Sequence, residues 1–220
     1  MYALAINSSP RKGKNTETLL RSALEGAAEN GAETELIQLY GLDFKGCRSC
    51  FECRRIGGTA YGSCAIRDGL TPVLEKLLSA DAIFLGSPIY LADVTGGMRC
   101  LLERLIYPGL AYRKGSKNRA VYSRRIPSAF IFSGNMREDE IKNRGTFAKE
   151  LIFLTETVIG PVETLWVTDT YQFDDYGKYV SEMFDAVKKK ERFETVFPED
   201  CKKARELGRR LTRARDKCSG

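Results

Sequence analysis

Short apolar runs alternate along this chain with stretches in which apolar residues recur every three or four positions. The runs lie at 2–7, 33–39, 81–86, 127–133 and 162–167, and segments of that length and character suit buried strands. Helical spacing appears between and after them. Leu19, Leu20, Ala23, Leu24 and Ala27 mark a first helix at 16–28. Leu70, Val73, Leu74, Leu77 and Leu78 mark a second, and Met98, Leu101, Leu102, Leu105 and Ile106 a third. A fourth runs near 138–158 with Phe147, Leu151, Leu154 and Val158, and a fifth carries Tyr179, Val180, Met183, Phe184 and Val187. Strand–helix alternation predicts an α/β fold with a parallel sheet. Right-handed crossovers then place helices on both faces. The expected architecture is a doubly wound five-stranded sheet of order 2-1-3-4-5 over 1–187, whose ligands gather at the C-terminal ends of strands 1 and 3. Residues 108–126 are a long basic connection, and 188–220 reads as a helical C-terminal extension.

The first strand runs into the loop SSPRKGKN and then a helix. A helix N-terminus offers free N–H groups and the positive end of its dipole. Ser9, Asn15 and Thr16 add hydrogen-bond donors, and Arg11 adds a cation suited to phosphate. An ordinary helix cap by Asn15 or Thr16 is the simpler alternative. The loop lacks both G-x-G-x-x-G and G-x-x-x-x-G-K-[ST], so a mononucleotide such as FMN suits it better than a dinucleotide or a triphosphate. Two more loops belong to the same sheet edge. Strand 3 ends in Gly86, Ser87 and Pro88, followed by the apolar wall of Ile89 and Tyr90. Strand 4 ends in Ser133, Gly134 and Asn135, which combine close backbone approach with amide donors. The three loops together describe a phosphate pocket joined to a pocket for a planar ring.

Cys47, Cys50 and Cys53 form C-x2-C-x2-C, and Cys64 follows. This density points to metal or redox chemistry more than to structural disulfides. The spacing suits a [4Fe–4S] cluster with Cys64 as the fourth ligand. Zinc, or a cysteine-bearing loop without metal, are the alternatives. Lys45, Arg48, Arg54, Arg55 and Arg67 surround the thiols and favour thiolates. Cys100, Cys201 and Cys218 are expected to stand apart from this site.

The 220 residues carry a net charge of +6 and contain no histidine. That excludes a Ser-His-Asp triad, a Cys-His pair and any histidine metal ligand. No cysteine begins C-x5-R, which removes a cysteine phosphatase. No apolar run reaches the ~20 residues that span a bilayer, no export signal is evident, and a cytoplasmic protein without membrane contact is expected. Basic residues concentrate at 113–125 and 202–217, but Ala204, Leu207, Leu211 and Ala214 give the latter an apolar stripe and a solvated basic face. No nucleic-acid function is expected.

INSSPRKGKNT, the Cys47–Cys64 group followed by IRDGL, and GSPIYLADVTGGMRCLLER together resemble the NADPH-dependent FMN reductase family, most closely its iron–sulfur flavoprotein branch. The resemblance covers roughly 1–170. It implies a flavodoxin-like fold, FMN, and exchange of electrons with NAD(P)H and a small-molecule or protein partner. It assigns Ser9, Arg11, Asn15 and Thr16 to the phosphate and Pro88, Ile89, Tyr90, Val94 and Thr95 to the ring. It also implies a homodimer or homotetramer. Departures from the family pattern are Asn7-Ser8 in the first loop, the long gap from Cys53 to Cys64, and Ser133-Gly134-Asn135. No residue stands out as a catalytic acid or base. A non-catalytic electron carrier or metal-binding module is the alternative to a reductase.

Overall fold

A computed structural model describes residues 1–114, 119–137, 139–140 and 146–213, with the side chains of Thr146 and Phe147 outside the description. Five parallel strands, β1 (Tyr2–Asn7), β2 (Glu33–Gln38), β3 (Ala82–Pro88), β4 (Ser128–Ser133) and β5 (Val162–Val167), form one sheet. The order is β2-β1-β3-β4-β5, a doubly wound flavodoxin-like arrangement. The strand runs of the sequence lie within a residue or two of these limits. β1, β3 and β4 are central and almost wholly buried, whereas edge strands β2 and β5 keep exposed polar positions.

Side chains of a strand alternate between faces, and the core divides accordingly. Leu4, Ile6, Ile83, Leu85, Phe130 and Phe132 pack on one face with α2 (Thr71–Ser79), α3 (Gly96–Gly109) and α4 (Thr146–Val158). Ala3, Ala5, Ala82, Phe84, Ala129 and Ile131 pack on the other with α1 (Asn15–Glu29) and α6 (Phe197–Leu211). The small alanines let α1 lie close to the sheet. A Cβ on Gly86 would stand 2.5 Å from Leu20 Cδ1, so the end of β3 is kept bare for α1.

The segment set apart as an extension holds the helix that completes this second layer. α6 buries Ala204, Leu207 and Leu211 and packs along α1. The two backbones approach so closely that a Cβ at Gly26 or Gly208 would lie 1.9 Å from a carbonyl oxygen of the partner helix. Its basic residues are paired: Arg205 and Arg209 with Glu29, Arg210 with Glu163, Lys203 with Asp200 and Lys202 with Glu199. Ala214 and Cys218 lie outside the described residues.

The fifth expected helix forms differently. Residues 179–184 are not helical, and α5 is Ala186–Thr195. Asp185 caps it, accepting from the N–H groups of Val187 and Lys188. The preceding residues are held by aromatic contacts instead, with the Phe173 and Tyr179 rings stacked at 4.4 Å. Of the fourth expected helix, 138 and 141–145 lie outside the described residues. No helix among the described residues is long and apolar enough to cross a membrane.

Candidate functional site

The loop between β1 and α1 is shaped by a relay of polar side chains. The N–H and Oγ of Ser8 both donate to the Gly86 carbonyl at 2.9 Å, tying the loop to β3. Asn7 accepts from the Ser9 N–H and donates to Gln38 Oε1 at 2.7 Å. Gln38 in turn donates to Glu17 Oε2, which also receives the Gly13 N–H at 2.8 Å. Burial raises the Glu17 pKa, but bonds from Gly13, Arg21 and Gln38 outweigh it and hold the carboxyl below its usual range. The N-terminus of α1 has no side-chain cap, so its first-turn N–H groups remain available to an anion. α3 differs, because the Thr95 hydroxyl accepts from the Met98 N–H and caps it.

A cavity of about 530 Å³ opens over this end of α1. Ser9, Arg11, Asn15, Thr16, Pro88, Ile89, Tyr90, Ser133, Gly134 and Asn135 all line it. Thr16 and Ser133, 117 positions apart, join their hydroxyls at 2.8 Å and so link the first and fourth strand ends. Tyr90 stands at the base of a tight turn closed by reciprocal bonds with Asp93. Leu91 and Ala92 take left-handed conformations there (φ 51° and 59°), a cost that the turn holds in place beside the cavity. Val94 and Thr95 do not line the cavity. Both are buried beneath it, and Thr95 donates to the Ser8 carbonyl besides capping α3.

Lys14, Met136, Thr170, Gln172, Phe173 and Phe184 complete the lining. None of them stands among the expected site residues. Lys14 lies inside the loop motif as a visible cation, Phe184 is a position of the fifth expected helix, and the others follow turns with no periodic signal. The segment 171–174 also crosses the phosphate-type loop. Arg11 donates to the Gln172 carbonyl, Asn15 to the Tyr171 carbonyl at 2.9 Å, and Lys14 pairs with Asp174 at 2.6 Å.

Cys47, Cys50, Cys53 and Cys64 border a second, small cavity with Glu103, Arg104 and Tyr107. The thiols gather at different depths: Cys47 and Cys50 are exposed, Cys53 is buried and Cys64 half-buried. Among the described residues, no group of three or more His, Cys, Asp or Glu side chains stands in a metal-holding arrangement. The four thiols expected to converge border this one cavity, and each is fastened separately. Arg104, fully buried, donates to Cys64 Sγ at 3.3 Å, to Asp68 at 2.6 Å and to the carbonyls of Lys45 and Ile66. Cys47 N–H is held by Glu103, and Cys53 lies in a 3-10 turn whose Arg54 stacks over Tyr107 and Tyr112. Burial pushes the Cys53 thiol pKa up. Cys100, expected to stand apart from this site, borders the loop, with its Sγ 3.1 Å from where a Gly46 Cβ would stand. Cys201 lies on the α6 side of the molecule.

Known proteins are similar to this chain in sequence or in fold. An iron–sulfur flavoprotein of Methanocaldococcus jannaschii is 38% identical over 104 residues, 47% of this chain and 51% of that protein. One from Archaeoglobus fulgidus is 39% identical over 104 residues, 47% of this chain and 48% of that protein. The chain thus spans about half the length of these relatives. An NAD(P)H:quinone oxidoreductase from Methanothermobacter marburgensis superposes with a TM-score of 0.67 over 98% of this chain and 99% of that one, at 16% identity, which shows a common fold. Residues 1–137, holding β1 to β4 and three of the cavity-lining loops, match the model of the NADPH-dependent FMN reductase family, and the chain belongs to that family.

Proposed function

We propose that this protein is an FMN-dependent NAD(P)H oxidoreductase that passes electrons to a small-molecule or protein acceptor. The observation that carries the reading is the uncapped N-terminus of α1 opening into the same cavity as the strand-3 and strand-4 loops. The cavity is of the size that small-molecule sites have, and its donor set fits FMN. Ser9, Asn15, Thr16 and the first-turn amides of α1 would hold the phosphate, with Arg11 and Lys14 supplying positive charge. Pro88, Ile89 and Tyr90 on one side and Ser133, Gly134 and Asn135 on the other would flank the ring. FMN supplies the electron chemistry when bound, and the protein supplies orientation and electrostatics.

The experiment is flavin binding by the Arg11→Ala/Thr16→Ala double variant. Loss of one charge-assisted contact and one hydroxyl donor predicts affinity for FMN reduced about a hundredfold with the fold intact by circular dichroism. Unchanged affinity overturns the phosphate assignment. NAD(P)H oxidation with an artificial acceptor separates a reductase from a carrier that only exchanges electrons with a protein.

The gathering of four thiols around one cavity favours a narrower second reading, in which Cys47, Cys50, Cys53 and Cys64 bind a [4Fe–4S] cluster. Among the described residues, the thiols as they stand are not arranged as a metal-holding group. Iron and sulfide content of anaerobically prepared protein tests this reading.

A further inference from the structure

Lys189 belongs to the run Lys188–Lys189–Lys190, yet its side chain is 7% exposed where those of Lys188 and Lys190 are 81% and 67% exposed. Its Nζ donates to Asn135 Oδ1 and pairs with Asp169, and it faces the Phe184 ring at 5.2 Å. Burying an ammonium is costly unless it is paired and hydrogen-bonded. The first turn of a helix, where Lys189 lies, is also the end at which the dipole disfavours a cation. Its partners therefore decide its position.

An ammonium group only donates hydrogen bonds. Asn135 must accordingly turn Oδ1 towards Lys189 and Nδ2 away from it. Nδ2 donates to Gln172 Oε1 at 2.9 Å. That bond orients the second amide in its turn and leaves Gln172 Nε2 as the donor end of the pair. Asn135 and Gln172 both line the 530 Å³ cavity.

We infer that Lys189 is a positioning residue that sets the polarity of the Asn135–Gln172 amide pair, so that the cavity wall presents N–H donors to a ligand face rich in acceptor atoms. The inference rests on the flavin reading. FMN has two such faces, the carbonyls of its ring and the oxygens of its phosphate. Lys189 lies beyond residues 1–137, which the family model matches.

The test measures dissociation constants for FMN and riboflavin, with the absorption spectrum of the bound flavin, in wild type, Lys189→Met, Asn135→Ala and the double variant. Losing one oriented donor predicts FMN binding weakened about tenfold in Lys189→Met, with a shifted flavin absorption band that a packing role alone would leave in place. The double variant should bind no more weakly than Asn135→Ala, because Asn135 acts only when oriented. A loss shared by riboflavin assigns the donors to the ring, and a loss confined to FMN assigns them to the phosphate. Gln172→Leu, at the partly exposed end of the relay, should show the same weakening at the wild-type melting temperature, and it decides the matter if Lys189→Met does not fold. Wild-type affinity in Lys189→Met or Gln172→Leu overturns the inference, as do losses in Lys189→Met and Asn135→Ala that multiply in the double variant. Wild type that binds no flavin at all removes the underlying reading instead.

Discussion

Glu17 holds the loop before α1 by accepting from the Gly13 N–H, from Arg21 and from Gln38. Its carboxyl titrates below the ordinary range of about 4.3. A depressed carboxylate contributes stability that is fully present above the unfolded pKa and is lost as pH falls through the folded one. Glu17→Gln turns an amide N–H₂ towards donors that need an acceptor. It should cost about 2 kcal/mol at pH 7, with the gap to wild type closing below pH 4 in urea melts. A gap independent of pH would show that the charge is not what holds the loop. The residues of this loop were legible because strand, polar loop and helix follow one another without interruption. The Thr16–Ser133 contact was legible only as two loops on one sheet edge. Lys189 was not legible at all: a lysine in a basic run carries no sign of burial, and its partners Asn135 and Asp169 are brought to it by the chain's return across β4 and β5.

Among the elements, α6 has the role least visible in the sequence. Its apolar stripe was evident, but not what the stripe covers, since α1 lies some 180 positions earlier. The glycines at 26 and 208 make the crossing possible, and there is no room for a methyl group between the two backbones. Gly208→Ala should therefore destabilise the protein by about 3 kcal/mol despite the better helix propensity of alanine. Thermal denaturation checks this, and a rise in Tm would mean that the helices separate freely. The misplaced fifth helix has a related lesson. Apolar spacing over 179–187 matched a helix, but Tyr179, Val180, Met183 and Val187 are exposed. The stronger local signal was Asp185, a good cap residue standing just before the helix that does form.

At the scale of the molecule, the connection 108–126 and the cysteine loop form one region. Leu110 bridges to Ala120, Gly62 packs against Val121, and Arg54 stacks over Tyr107 and Tyr112. Residues 115–118 of that connection lie outside the description. Phe51, Ile56, Tyr61 and Tyr112 are exposed in this region, and exposed apolar groups in number mark interaction surfaces. A homodimer or homotetramer joined through this region is proposed, and sedimentation at micromolar concentration should give the corresponding mass; a monomer would count against it. The cavity has a different composition by origin. Its phosphate-type loop and the loops after β3 and β4 lie within the first 137 residues, while Thr170, Gln172, Phe173 and Phe184 come from beyond them. The two portions are separate in sequence, so a change in one can leave the other in place. A descendant with an altered segment 168–189 would keep the same cradle and receive different visitors. Likeness in the first 137 residues is then a guide to three of the loops around the cavity, and not to the wall that the later segment builds.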